Sequence, residues 1–463
     1  MNFQVENAVC AVGKMHEFQR AERTVISRSH PNWKACHRLC SLSRKLGNCA
    51  AYILRHRVFD KLPVMTRKEL DTALKEQYAS DYRAMPSAAS AQRQGQVVAK
   101  QFKSYAKALT EYANHPEKFK GKPQLPGYKR RYRSFYVGRN GYQISNGRLT
   151  ITGAQDVGFE PMPVRCCKEQ VFNAKAEDAV VGDVRIVPMG NSFIFELTYT
   201  VKQEDVQKNC PLDSRHALIG DLGVNNFAAF VSTKPGVRPV LIKGGVLKSL
   251  NQSYNKQTAE LRAKKQYRHI RIKGFKRYRQ VQDLLHKASR MVINYCLAHD
   301  LGTLIIGVNK YWKQEVSMGC KNNQNFVMLP HAVFVGMLKY KAQQYGIEVI
   351  EREESYTSRA SSLDFDTVPD YGAVSAQPVF SGKRIKRGLY EAADGRRLNA
   401  DINGAINIGR KELGNEWLQK LLELDGGVVD TPVVIRYLHE RQSIGSLLEV
   451  GARSYETSRV SAR

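Results

Sequence analysis

The sequence predicts an α/β architecture in its C-terminal half, preceded by a small β barrel or sandwich and a mostly helical lobe. Three observations predict it. Strand-like and helix-like stretches alternate after about residue 215, short alternating apolar runs fill residues 140–205, and apolar residues recur at helical spacing between residues 31 and 112.

Taken in order, TVISR at Thr24–Arg28 reads as a short strand, and Pro31-Asn32 opens a helical pattern through WKACHRLCSLSRKLGNCAAYILRHRVF. A second helical stretch covers roughly Arg67 to Tyr112, with Met85-Pro86-Ser87 as a break and His115-Pro116 at its end. From Lys118 the chain turns basic, aromatic and Pro/Gly-punctuated. The runs YQIS, RLTITG, VRIVPM and FIFELTYTV follow, and alternation of Phe193, Phe195, Leu197 and Tyr199 predicts a strand with one buried face. Residues 206–216 read as a linker. Beyond it come a strand, a hairpin, a long basic helical section from Lys248 to Leu297 with a bend expected at Gly274, then strand, helix, strand, irregular loop and helix.

With 463 residues, two or three folding units are expected. No stretch offers eighteen uninterrupted apolar residues, and MNFQVENAVCAVGKMHEF lacks the pattern of a signal peptide, so a cytoplasmic protein without membrane contact is expected. The 72 Lys and Arg against 43 Asp and Glu give a formal net charge of +29, which calls for a polyanionic partner. Positive residues interleave with aromatics, the pattern of a nucleic-acid contact: Lys120, Lys122, Tyr128, Lys129, Arg130, Arg131 and Arg133 in one segment, Arg271, Lys273, Lys276 and Arg277 in another. The nine cysteines form no disulfide framework or zinc-knuckle pattern, and Cys36 and Cys40, at i, i+4 spacing, suit a small apolar helix face.

Chemistry is concentrated in three acidic segments. In ALIGDLGVNNFAAFVS an apolar strand runs into Asp221, and a carboxylate at such a place is paired, hydrogen-bonded or metal-bound, although a turn-capping role explains it equally well in isolation. LNADINGAINIGRKEL puts Asp401 near a helix start, with Ala405 and Ile408 continuing the inner face; capping is again the simpler reading of this residue alone. IEVIEREESYTSRAS brings Glu351, Glu353 and Glu354 to the end of an extended segment. Three carboxylates gathered at one end of an α/β sheet would suit magnesium and phosphodiester chemistry.

GDLGVNNFAAF, HKASRMVINYCL, LGTLIIGVNKYWKQE, KNNQNFV, GIEVIEREESYTSRAS, FSGKRIKRGLY and NADINGAINIGRK, in this order, resemble the nuclease half of TnpB proteins over roughly residues 215–412. The resemblance implies an RNase H-like (RuvC) domain over 206–430, containing basic helices at 248–298 and a target-strand loop at 355–398. It also implies a wedge-type β barrel from 19–30 and 118–205, an inserted helical recognition lobe at 31–117, an N-terminal extension at 1–18 and a tail at 431–463. Asp221 and Asp401 fall on the first and last members of the family's metal-binding Asp, Glu, Asp trio. The middle member departs, since Gly307 stands where most relatives carry the Glu. Glu354, with Glu353 as the alternative, resembles the relocated glutamate of a TnpB subset. Adjacent strand residues face opposite ways, so one of the two faces the site and the other solvent or a basic side chain. Many relatives place zinc-binding cysteine pairs after the segment YTSRAS; here Ser361, Asp364 and FSGKRIKRGLYEAADGRR stand instead, so no structural zinc is expected.

The resemblance therefore implies an RNA-guided DNA endonuclease of a transposon, holding two Mg2+ ions through Asp221, Glu354 and Asp401. Its partners would be a guide RNA with a structured scaffold and double-stranded DNA with a short flanking motif. Trp312, Lys313 and Gln314, together with Lys383, Arg384, Lys386 and Arg387, are further candidate nucleic-acid contacts, packing of Trp312 on the sheet edge being the plain alternative for that residue. A compact type V CRISPR effector, a guided DNA-binding protein without cleavage and a direct DNA transposase are the competing readings.

Overall fold

A computed structural model describes residues 17–63, 65–164, 180–202, 212–308, 329–370, 378–386, 388–424 and 431–436. The chain divides into two compact units, Met1–Val206 and Gln207–Arg463.

In the first unit, β1 (Glu17–Ile26) is followed by α1 (Trp33–Phe59), α2 (Arg67–Gln77), α3 (Ala79–Arg83) and α4 (Ala88–Asn114), then by β2 (Phe135–Val137), β3 (Tyr142–Ser145), β4 (Arg148–Ile151), β5 (Met162–Pro163), β6 (Val180–Met189) and β7 (Ser192–Lys202). Two antiparallel sheets result, ordered β1-β7-β6-β2 and β3-β4-β5. The β1 strand starts well before Thr24, because its charged residues are matched across the ladder. Arg23 lies opposite Glu196, and their side chains pair at 2.6 Å, with Arg185 on the other carboxylate oxygen. Phe193, Phe195, Leu197 and Tyr199 of β7 are all buried.

α1 forms where its apolar spacing predicts it and buries Cys36, Leu39, Cys40, Leu46 and Leu54. Gly47 leaves a gap that the Arg133 side chain fills: a Cβ there would sit 2.6 Å from the Arg133 Cδ and Nε. Arg133 is thus buried and donates to Gln101 Oε1 at 3.2 Å. This corrects its reading as a nucleic-acid contact, since a buried guanidinium that ties α1 to α4 is not presented to a ligand.

In the second unit come β8 (Ala217–Asp221), β9 (Asn226–Ser232), β10 (Val240–Lys243), α5 (Gly245–Ala263), α6 (Tyr267–His299), β11 (Thr303–Val308), α7 (His331–Gln343) and β12 (Glu348–Glu353). A small antiparallel sheet, β13 (Lys383–Lys386), β14 (Leu389–Glu391) and β15 (Arg397–Asn399), precedes α8 (Ala400–Leu413), α9 (Glu416–Leu424) and β16 (Val433–Ile435). The main sheet has the order β12-β11-β8-β9-β10-β16. β8, β11 and β12 run parallel, and β8-β9-β10 is an antiparallel meander. The central strands ALIGD and TLIIGV are almost wholly buried because helices cover both faces. Leu285, Val292, Phe334 and Leu338 pack with Phe227, Leu304 and Ile306 on one face, and Ile402, Ala405, Ile406 and Leu418 with Ala229 and Val231 on the other.

The expected bend at Gly274 is not there: α6 runs straight through it. The reversal between α5 and α6 falls at Lys265, whose φ is 54°. One glycine inside a helix costs only about 1 kcal/mol, which the rest of a 33-residue helix absorbs. No helix among the described residues is long and apolar enough to cross a membrane.

Lys341 on α7 is buried against α6, donating to the His286 carbonyl at 2.7 Å and the Ser289 hydroxyl at 2.6 Å. Burial, aided by Arg290, lowers its pKa from 10.5 to about 7. The unfolded chain therefore binds the extra proton between these values, and stability rises with pH across that window. Replacing Lys341 by Met removes the buried amine, so thermal melts should show a higher Tm at pH 7 and a flatter pH dependence up to about pH 10. A lower Tm would mean that the two hydrogen bonds outweigh the desolvation.

Candidate active site

The two aspartates reach one end of the main sheet by different means. Asp221 is the last residue of β8, and the turn after it, closed by Gly223 N–H to the Phe227 carbonyl at 3.3 Å, sends the chain back as β9. Asp401 lies in the first turn of α8, but it does not cap the helix. Asn399 does: its side chain accepts from the N–H groups of Asp401 and Ile402 at 3.0 and 3.3 Å. The Asp401 carboxylate is therefore left for other partners. Its Oδ2 accepts from Asn226 Nδ2 at 2.5 Å, and Asn226 Oδ1 in turn accepts from Lys243 Nζ at 2.8 Å. Arg384 of β13 stands 3.7 Å from Oδ1.

α8 can lie close to Asp221 because residue 404 is glycine. A Cβ at Gly404 would fall 2.7 Å from Asp221 Oδ2, inside any real contact. Burial pushes the Asp221 carboxyl well above the usual range, and the neighbouring Glu354 and Asp401 carboxylates push it further.

Glu354 directly follows β12. Its Oε2 lies 3.0 Å from the position of a Cβ on Gly307, whose other neighbour there is Ile408 Cδ1 at 2.4 Å. The Glu354 side chain thus reaches the space a residue-307 side chain would enter, from the adjacent parallel strand. That oxygen is buried without a hydrogen-bond partner, and burial followed by the Glu353 charge raises the carboxyl to about 7.

Glu353 faces another way. It accepts from Lys411 Nζ at 2.7 Å and from the Ser355 N–H at 2.7 Å. Burial alone would raise its pKa, and these two donors overcome that effect to hold it below the usual range.

The loop after Glu354 is fastened by polar side chains. Asn403 and Asn407, both buried on α8, donate to the Ala360 carbonyl at 2.8 and 2.7 Å, and Arg410 donates to the Asp366 carbonyl at 2.8 Å. Asp366 accepts from the Ser361 and Ser381 N–H groups at 2.7 and 3.1 Å, and Asp364 from the Ala393 N–H at 2.8 Å.

By chemistry the donor set suits a hard cation: Glu354 and Asp401 both act on the buried Asp221 carboxylate, and a buried oxygen of Glu354 has no proton donor. Among the described residues, no three His, Cys, Asp or Glu side chains stand together closely enough to hold a metal ion as placed here. Beside Asp401 opens a cleft lined by Asn225, Asn226, Lys243, Arg384 and Lys386. A second, lined by Arg359, Phe380, Lys383 and Arg384, flanks the small sheet.

Other candidates stand apart from the carboxylates. Lys120, Lys122, Tyr128, Lys129, Arg130 and Arg131 are exposed in the first unit, where Arg55 lies over the Tyr128 ring at 5.3 Å. Arg271, Lys273 and Lys276 are exposed on α6, whereas Arg277 is half-buried and donates to Asn251 Oδ1 at 2.7 Å. Lys383 and Lys386 are exposed beside Arg384. Trp312, Lys313, Gln314 and Arg387 lie outside the described residues. Sequence reasoning missed Asn226, Lys243 and Lys411. The pair Asn225-Asn226 just past Asp221 was a usable signal for the first; nothing in the sequence linked the two lysines to the carboxylates.

Residues 199–313 match the family model OrfB_IS605, described as a probable transposase, and residues 331–408 match the Cas12f1-like TNB domain. No curated protein matches the chain. Among solved structures, a Cas12f1–sgRNA–target DNA complex aligns at 16% identity over 80% of this chain and 81% of that one, with a TM-score of 0.47. The mini-RNA-guided endonuclease CRISPR-Cas_phi3 aligns at 11% identity over 85% and 92%, TM-score 0.36. C2c1 of Alicyclobacillus acidoterrestris with single-guide RNA aligns at 9% over 81% and 66%, TM-score 0.33.

The close approach at Gly404 yields a test by sign. Gly→Ala inside a helix ordinarily stabilises by up to about 1 kcal/mol. Gly404→Ala should instead lower the Tm, because its methyl meets Asp221, and should raise it in an Asp221→Ala background. Equal effects in both backgrounds would show that the carboxylate does not lie against the helix.

Proposed function

We propose, from the premise that this chain is a TnpB-like family member, that it is an RNA-guided DNA endonuclease whose trio is Asp221, Glu354 and Asp401. The observation that carries the reading is the convergence of acidic residues from distant segments at one end of the main sheet, where Glu354 and Asp401 both act on Asp221 and a buried Glu354 oxygen has no donor. On this reading the main sheet and its helices are an RNase H-like (RuvC) domain, and the first unit is a wedge-type barrel with a helical recognition lobe.

Asp221, Glu354 and Asp401 would hold magnesium, two ions in the family's manner. The chemistry expected of magnesium there is activation of an attacking water and stabilisation of the leaving oxygen of a phosphodiester. The chain's own residues prepare the site. Asn226 fixes the Asp401 carboxylate and is itself held by Lys243, while Arg384 adds a guanidinium where a DNA phosphate would approach. Glu354 is preferred to Glu353 because Glu353 is already engaged by Lys411 and Ser355.

The partners proposed are a guide RNA with a structured scaffold and double-stranded DNA bearing a short flanking motif, sequence being read by base pairing. The net charge of +29 and the exposed basic residues of β13 and α6 support a polyanionic partner. The transposon origin rests on the probable-transposase description of the matched family model.

The test is to purify the protein with RNA from its own locus, sequence that RNA, and assay magnesium-dependent cleavage of a matching target. A discrete RNA with a constant scaffold and guided cleavage are expected. Alanine at Asp221, Glu354 or Asp401 should reduce cleavage by about a thousandfold or more while leaving target binding intact. Glu353→Gln, which keeps an acceptor oxygen for one of the two donors, should stay within about tenfold of wild type. Heterogeneous RNA, or a Glu353 variant as inactive as the Glu354 variant, would contradict the assignment.

A further inference from the structure

Lys411 is an unusual place for a charge. It lies in the last turn of α8 with a side chain only 2% exposed, and its ammonium is surrounded by acceptors: Glu353 Oε2 at 2.7 Å, Asp370 Oδ1 at 2.9 Å, and the carbonyls of Pro369 and Ser355 at 3.0 and 3.3 Å. A lysine so enclosed is stable only when paired and hydrogen-bonded, as it is here. Its acceptors come from the end of β12, from the residue just past Glu354, and from the far end of the loop. The contacts at Glu353 and Ser355 therefore bracket Glu354 on both sides along the chain.

Glu354 needs such a brace. It lies beyond the last ladder residue of β12, its carbonyl accepts from the Thr357 N–H and Oγ1 at 3.3 and 2.8 Å in the following turn, and its carboxylate Oε2 has no donor. Ile408, one turn before Lys411 on the same helix, borders the space beside Gly307 into which it points.

We propose that Lys411 is a positioning residue: by clamping Glu353, Ser355 and the 369–370 segment to α8, it aims the Glu354 carboxylate at the space beside Gly307. α8 would then set two of the three carboxylates, Asp401 by carrying it and Glu354 through Lys411. The inference rests on the nuclease reading, because it assigns Glu354 a ligand's task.

The probe is Mn2+ alone, titrated into the full chain by calorimetry, with thermal melts run in parallel. Wild type should bind Mn2+ in an Asp221-dependent manner, and Lys411→Met should weaken binding by about 10- to 100-fold, the range for residues that orient metal ligands. Should Lys411→Met fail to fold, the double variant Lys411→Met/Glu353→Gln removes the orphaned charge and is expected to show the same weakening. In a Glu354→Gln background, the Lys411 substitution should cause no further loss, since the group it aims is gone. Wild-type affinity in the double variant, or an additional tenfold loss in the Glu354→Gln background, would overturn the clamp while leaving the nuclease reading intact. Absence of Asp221-dependent Mn2+ binding by wild type would overturn the nuclease reading, and the clamp with it.

Discussion

α8 lies against the end of β8 at a distance that only glycine permits, and the geometry of the acidic site follows from that approach. With no side chain at residue 404, the Asp221 carboxylate rests on the helix surface one turn from Asp401. Further along, Ile408 packs beside Gly307, and Lys411 holds the end of β12. One helix thus touches the strands that deliver the other two acidic residues. Its polar face, Asn403, Asn407 and Arg410, binds the loop that follows Glu354. Gathering like charges in a buried place costs folding energy, seen here in the raised pKa values of Asp221 and Glu354, and a rigid helix with buried apolar contacts can offset that cost.

The loop from Ser355 to Asp370 shows how side chains can fasten a segment without cysteines. Asp366 and Asp364 accept from main-chain N–H groups within the loop and beyond its end, and Arg410 and the two asparagines donate to its carbonyls. Buried backbone groups must find partners somewhere. In this loop, short polar side chains provide many of them, so it holds its shape with little regular secondary structure.

The sequence made some of this legible and hid the rest, for identifiable reasons. Apolar runs ending in acidic residues located Asp221 and the Glu353-Glu354 pair, and helical spacing located α1 and α8, because each of these signals is local. Capping was harder: Asp401 and Asn399 both suit an N-terminus, and only the backbone shows that Asn399 takes the task. The interior of α6 misled because glycine marks a bend only when tertiary packing leaves the helix free to break, and here the positive φ fell on Lys265 instead. Arg133 misled in the opposite sense, as it sits among surface cations in sequence yet fills the gap at Gly47, eighty-six positions away. Lys411 was illegible for the same reason: its partners come from two segments, 353–355 and 369–370, more than forty positions away in the chain.

In the proposed site Asp221, Glu354 and Asp401 hold one cation-binding position between them, while Glu353 belongs to Lys411. The most direct measurement is the anomalous scattering from crystals of the protein soaked in Mn2+. Density in direct contact with Asp221, Glu354 and Asp401, with Glu353 still on Lys411, is expected. Density coordinated by Glu353 in place of Glu354, or manganese found only away from the end of β8, would contradict it.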